Sequence, residues 1–168
     1  MVGFVNGASA KGDYAPHLSA FLKGLSEAGY VDGQNVTIEY HWAENQSDRL
    51  PAMVADVVHR HVAVIAATGT QAAVAAKAAT TTIPIVFTTS VDPVQLELVP
   101  NLNRPGGNVT GVTETNVEIA AKRLQLLHEL VPTASVMALL VNPANPSLAE
   151  THTKETQTAA HSGSSFMS

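Results

Sequence analysis

Apolar positions along this chain fall in two spacings, short continuous or alternating runs and three-to-four-residue repeats, and the two kinds of segment take turns from the start. Val2 to Asn6 reads as a buried first strand. After His17, the positions Leu18, Phe21, Leu22 and Leu25 recur at helical spacing, and Gly29 supplies a stop. Val36, Ile38, Tyr40 and Trp42 alternate with Thr37, Glu39 and His41, which predicts a strand near a sheet edge with Glu39 turned to solvent. Asn45 is placed to cap the next helix, whose apolar positions are Leu50, Met53, Val54, Val57 and Val58.

Val62 to Ala67 predicts a third strand, and Thr68-Gly69-Thr70 leads into an alanine-rich helix over 71–80. Ile83 to Thr88 is the fourth strand, with Pro84 tolerated only at its beginning because proline lacks an amide donor. The prolines and glycines of 92–107 predict irregular chain with one helical turn over 93–98. A fifth strand follows over 109–112. Ile119, Leu124, Leu127 and Val131 then mark a helix that Pro132 ends. Val136 to Val141 predicts a further buried strand, and Ser147 to about Ala160 a polar helix. The last residues, 161–168, continue no pattern and read as a disordered or foreign tail.

Strands alternating with helices define an α/β class, a Rossmann-like parallel sheet with helices on both faces. Composition agrees: 45% hydrophobic and 14% charged residues leave ample material for a core. The net charge of -5, without any basic run, argues against nucleic acid as a partner. Cysteine is absent, which removes disulfides, thiolate nucleophiles and cysteine metal sites together. No apolar run reaches the roughly 20 residues that span a bilayer. Nor does an export signal precede Val2, so the chain reads as cytosolic or as a mature form whose signal was removed.

In open parallel sheets, ligands sit beyond the carboxyl ends of the strands, where helix N-termini present unpaired amides. That rule selects the loops at 6–13, 68–71, 88–93 and 142–146. The candidate ligand-binding residues are Asn6, Ala8, Ser9, Tyr14, Trp42, Thr68, Gly69, Thr70, Gln71, Thr89, Ser90, Asp92 and Asn142. Thr70 and the amides opening the next helix suit a carboxylate, Asp92 suits an ammonium, and Tyr14 and Trp42 suit apolar walls. The same residues also serve as turn formers and caps, which is the plainer reading of any one of them. Nucleotide-loop and nucleophile-elbow patterns are missing, and His59 and His61 lack the spacing that puts two ligands on one helical face. No cofactor, metal or catalytic residue is expected. Three Asn-X-Thr/Ser matches, at Asn35, Asn45 and Asn108, read as accidental.

Four segments carry more than class. Gly29 to Tyr40 (GYVDGQNVTIEY), Asp48 to Pro51, Ile83 to Phe87 with Asp92-Pro93-Val94, and Arg104 to Val112 (RPGGNVTGV), in that order, closely resemble ABC-transporter substrate-binding proteins of the tryptophan/tyrosine-binding type. The resemblance spans Val2 to about Ala160 and implies a type I periplasmic-binding-protein fold, with two lobes closing on a small ligand. It places a first lobe over 1–112, the crossing segment and the start of a second, incomplete lobe over 113–160, and a tail over 161–168. It further implies an amino-acid-like ligand, importer membrane subunits as partners, and a periplasmic or extracytoplasmic location. Because Val136 to Val141 would otherwise be left uncovered, the expectation is either a homodimer through the incomplete second lobe or a fragment of a longer chain that covers it. Two positions depart from the family pattern: Glu97 where glycine is usual, and Gln71 where proline is frequent. Two other readings stay open: a type I ligand sensor, which would call for a helix-turn-helix, and a small α/β enzyme drawing on Asp13, Glu44 or Asp92.

Overall fold

A computed structural model of the chain describes residues 1–10, 14–114, 119–143 and 146–163. Five strands, β1 (Val2–Asn6), β2 (Ile38–Trp42), β3 (Val64–Thr68), β4 (Ile85–Thr89) and β5 (Val109–Thr113), form one sheet in the order β2-β1-β3-β4-β5, every pair parallel. Helices α1 (Ala15–Glu27), α2 (Leu50–His59) and α3 (Thr70–Ala79) supply the crossovers. This is the doubly wound α/β architecture that the alternation predicts.

Strand alternation sorts the core into two layers. Phe4, Ile38 and Ala66 face α1 and meet Leu18, Phe21, Leu22 and Leu25. Val5, Ile65, Ala67, Ile85 and Phe87 face α2 and α3, meeting Val54, Val57, Ala72 and Ala76. Small residues permit the tight fit of the second layer. A Cβ on Gly3 would lie 2.4 Å from Val57, and one on Gly111 would lie 2.2 Å from the Phe87 carbonyl oxygen. The α1-side face is open over β4 and β5, where Val86 and Val112 are exposed.

The Gly29 to Tyr40 motif is a clasp for the edge strand. Asn35 accepts from the Val31 amide and donates to the Gly29 carbonyl. Asp32 accepts from the Ile38 amide and, at 2.9 Å, from the Tyr40 hydroxyl. Burial and the adjacent Asp32 carboxylate push the Tyr40 phenol up to about 12. Asn108 likewise donates to the carbonyls of Thr80 and Ile83, so both asparagines have structural work at these sites.

Four expectations change. Glu39 is not turned to solvent: its side chain is 25% exposed, beside Arg60 from the end of α2 and 3.8 Å from His41. An edge strand still has two faces, and α2 overhangs this one. Asn45 caps nothing; it adopts a left-handed backbone with φ 61, and α2 starts from Arg49 without a side-chain cap. Val136 to Val141 forms no strand, with Val136 85% and Leu140 99% exposed. An apolar run becomes a strand only beside a partner, and none of the described strands pairs with it. Helix α4 (Ala120–Leu130) instead packs against α5 (Pro146–Gly163), which runs beyond Ala160; residues 164–168 lie outside the described residues. Glu97 has φ 55, the region where glycine is at ease, so this departure from the family pattern concerns backbone strain.

Candidate functional site

Parallel strands bring all their carboxyl ends to one edge of the sheet, so the loops after β1, β2 and β3 converge there. The loop after β1 is fixed from both sides. Three backbone bonds tie it to the loop after β2: Ala43 N to Asn6 O, Glu44 N to Ala8 O and Asn45 N to Gly7 O, at 2.9, 3.2 and 2.8 Å. On the other side Asn6, 3% exposed, donates to the Thr68 carbonyl and hydroxyl at 2.9 and 2.7 Å and accepts from the Ala8 amide at 2.6 Å. Thr68 passes its own proton to the Val5 carbonyl. Asn6 and Thr68 therefore build the site's floor and have their hydrogen-bonding atoms engaged within it.

Between these loops lies a pocket of about 210 Å³. Of the predicted residues it gathers Asn6, Ala8, Tyr14, Thr68, Gly69, Thr70, Gln71 and Asn142. Gly7, Asn45, Ser47 and Ala72 complete the lining among the described residues; Gly7 falls within the selected 6–13 loop, while the other three lie outside the loops chosen from sequence. The strand-end rule applied to β2, as it was to the other strands, would have found Asn45 and Ser47. A larger cavity of about 630 Å³ sits at the amino ends of the strands, among Leu25, Tyr30, Val36 and Ala63. Helix N-termini do not converge there, and the side chain of Asn35 on its rim is already bonded to the backbone at both ends. The smaller pocket is therefore the stronger candidate.

Helix α3 gives the pocket its electrostatic character. Gly69, with φ 95 and ψ 149, turns the chain from β3 directly into the helix, and its amide is bonded to Thr88. No side chain caps α3, and the first amide with an intrahelical acceptor is that of Ala73. The amides of Thr70, Gln71 and Ala72 thus remain as donors at the positive end of the helix. No acidic or basic side chain is found among the described residues that line the pocket.

Thr70 has a different part from the one its sequence position suggests. It is 6% exposed and its hydroxyl lies 2.9 Å from that of Thr89. Thr89 accepts from the Val91 amide and donates to the Val91 carbonyl, so Thr70 supplies the proton of the Thr70–Thr89 bond. The pair joins β4 to α3 behind the pocket, and Thr70 offers a ligand its amide.

Tyr14, at the start of α1, stacks on His17 and meets Trp42 edge-on at a 5.6 Å centroid separation. Burial pushes the Tyr14 phenol up, hydrogen bonding with Thr68 and Asn6 holds it partly back, and Glu114 adds to the rise. Raised from its ordinary value, the phenol is neutral at physiological pH. Trp42 supports Tyr14 from behind and does not line the pocket. Ser9, Thr89, Ser90 and Asp92 also lie outside the lining. Asp92 accepts from the Val94 amide at 2.8 Å and shapes the turn after β4.

A doubly wound sheet with main-chain donors at a helix N-terminus beyond the strand ends is an architecture on which small-molecule sites are commonly built. The comparisons narrow the class. The profile described as "ABC transporter substrate binding protein" matches residues 10–164, and the chain belongs to that family of binding proteins, which are not enzymes. A protein named tyrosine-binding protein from Clostridioides difficile (strain R20291) is 35% identical over 123 residues, 73% of this chain and 35% of the relative. A solved structure titled as a conserved domain protein of Vibrio cholerae superposes with a TM-score of 0.75 at 30% identity, covering 94% of this chain and 52% of that one. The structure titled as an ABC domain in complex with L-Trp, from Streptococcus pneumonia, gives 0.73 at 24% identity and shares the fold, with 53% of it covered. The chain thus spans about a third of the tyrosine-binding relative and about half of the solved structures. Among the described residues, no helix is long and apolar enough to cross a membrane.

Proposed function

We propose that this chain is the ligand-gripping part of an extracytoplasmic solute-binding component of an ABC importer, and that its ligand is an amino acid with an aromatic side chain. The reading is carried by the three uncommitted amides at the start of α3, which face a pocket whose described lining has no acidic or basic side chain. A carboxylate there gains charge-assisted hydrogen bonds and the helix dipole. Tyr14, backed by Trp42, supplies an aromatic wall on the same side. The relative named tyrosine-binding protein supports the same ligand class. Asp92, tied into its own turn, is a weaker partner for the ligand's amine than the sequence suggests. In this reading 1–112 is the first lobe, 113–160 the crossing and the start of a second lobe, and the importer's membrane subunits are the downstream partners.

A thermal-shift panel tests the ligand class. L-Tryptophan or L-tyrosine at 100 times its dissociation constant is expected to stabilise the fold by ~2.7 kcal/mol, while sugars and nucleosides leave the melt unchanged. Stabilisation by a sugar or nucleoside instead would reject the class. The exposed apolar residues of α4 and the segment after it, Leu127, Leu130, Val136 and Leu140, favour self-association of this chain. Light scattering is expected to give a dimer, and a monodisperse monomer with a cooperative melt would rule that out.

A further inference from the structure

Gln71 is the second residue of α3 and lines the pocket where that helix opens onto it. Its side-chain oxygen accepts a hydrogen bond from the Ser47 hydroxyl, 24 residues earlier on the turn that leads into α2. A carboxamide gripped by its oxygen has its NH2 half directed away from the grip. No acceptor among the described residues takes either of those hydrogens. Ser47 thereby converts a flexible polar side chain into a fixed donor beside the amides of Gln71 and Ala72.

We propose that Gln71, positioned by Ser47, sets the specificity of this pocket for a free carboxylate over the corresponding carboxamide. The proposal rests on the reading of the pocket as a carboxylate site. The main-chain amides favour the anion through its charge, but they also accept the carbonyl oxygen of a carboxamide as a partner, so they do not exclude the neutral ligand. The second heteroatom decides. On a carboxylate it is an acceptor and meets the Gln71 NH2; on a carboxamide it is an NH2 and puts donor against donor, leaving both unpaired. A site built from one kind of hydrogen-bonding group rejects the mismatched ligand through those unpaired groups.

Titration calorimetry on the full chain with L-tryptophan and L-tryptophanamide tests the proposal. The wild-type chain is expected to prefer the acid by ~100-fold or more. Gln71→Met keeps the length and helix propensity of the side chain, and is expected to lower that preference by ~10-fold, mainly through weaker binding of the acid. Gln71→Glu should abolish binding of the acid through charge repulsion. Ser47→Ala is expected to reproduce part of the Gln71→Met effect and to add nothing when combined with it, which a merely structural role for Ser47 would not produce. A folded Gln71→Met variant with the full acid-to-amide preference would overturn the assignment of Gln71 while leaving the carboxylate site intact. Equal effects of Ser47→Ala in the two backgrounds would overturn its positioning role. A wild-type chain that binds neither tryptophan nor tyrosine would remove the underlying reading and the proposal with it.

Discussion

Replacement of Phe4 by alanine is expected to lower folding stability by about 3–5 kcal/mol, the range for deleting a fully buried phenylalanine. Phe4 is 0% exposed, and its ring centroid lies 5.2 Å from that of Phe21, 5.3 Å from Trp42 and 5.8 Å from Tyr40. It is thus the shared contact through which β1, β2 and α1 hold one another. The surrounding side chains are anchored on two other elements, α1 and β2, and cannot collapse into the space together, which places the loss toward the upper end of the range. Denaturant midpoints at constant slope measure it. A loss below about 1 kcal/mol would mean that α1 is held to the sheet by other contacts.

Asn6→Ala is expected to cost about 3 kcal/mol and to weaken ligand binding at least tenfold. The side chain bridges β1 to β3 and also orders the loop that forms one wall of the pocket. Without it, the half-buried Ala8 amide, the Thr68 carbonyl and the Thr68 hydroxyl each lose a partner, at roughly 1–3 kcal/mol for a group left unsatisfied. Asn6→Asp separates the two effects. It keeps an acceptor for Ala8, but sets a carboxylate oxygen where Nδ2 now lies 2.9 Å from the Thr68 carbonyl. Two acceptors repel at that distance, so the aspartate variant should be no more stable than the alanine variant at neutral pH despite its closer shape. Retention of wild-type stability by Asn6→Asp would show that the donor half of the amide is dispensable.

Those two residues also mark where sequence reasoning reached and where it stopped. Phe4 was legible as core because a continuous apolar run between polar loops has no other stable home in a parallel sheet. The crossovers were legible for the same reason, since each helical repeat lies between two such runs. Asn6 was legible as a strand-end residue, yet nothing in its neighbourhood says that its amide is consumed by Thr68, 62 residues away. Thr70 shows the same limit: its spacing suggests a hydroxyl for a ligand, while the fold directs that proton to Thr89. Glu39 and Val136 to Val141 were misread because periodicity reports which faces differ in polarity and not what covers them. A helix overhangs Glu39, and no described strand pairs with the 136–141 run. The latch between Ser47 and Gln71 joins the turn before α2 to the first turn of α3 and left no local trace.

The central claim is that a ligand carboxylate sits on the first amides of α3. Its most direct test is an amide chemical-shift titration of the isotopically labelled chain with L-tryptophan. The account predicts the largest saturable shifts at Gln71 and Ala72, with Gly7 and Ala8 moving in parallel and Tyr30 and Val36, at the opposite end of the sheet, unchanged. Saturable shifts centred on Tyr30 and Val36, with Gln71 and Ala72 unmoved, would place the ligand in the larger cavity and contradict it.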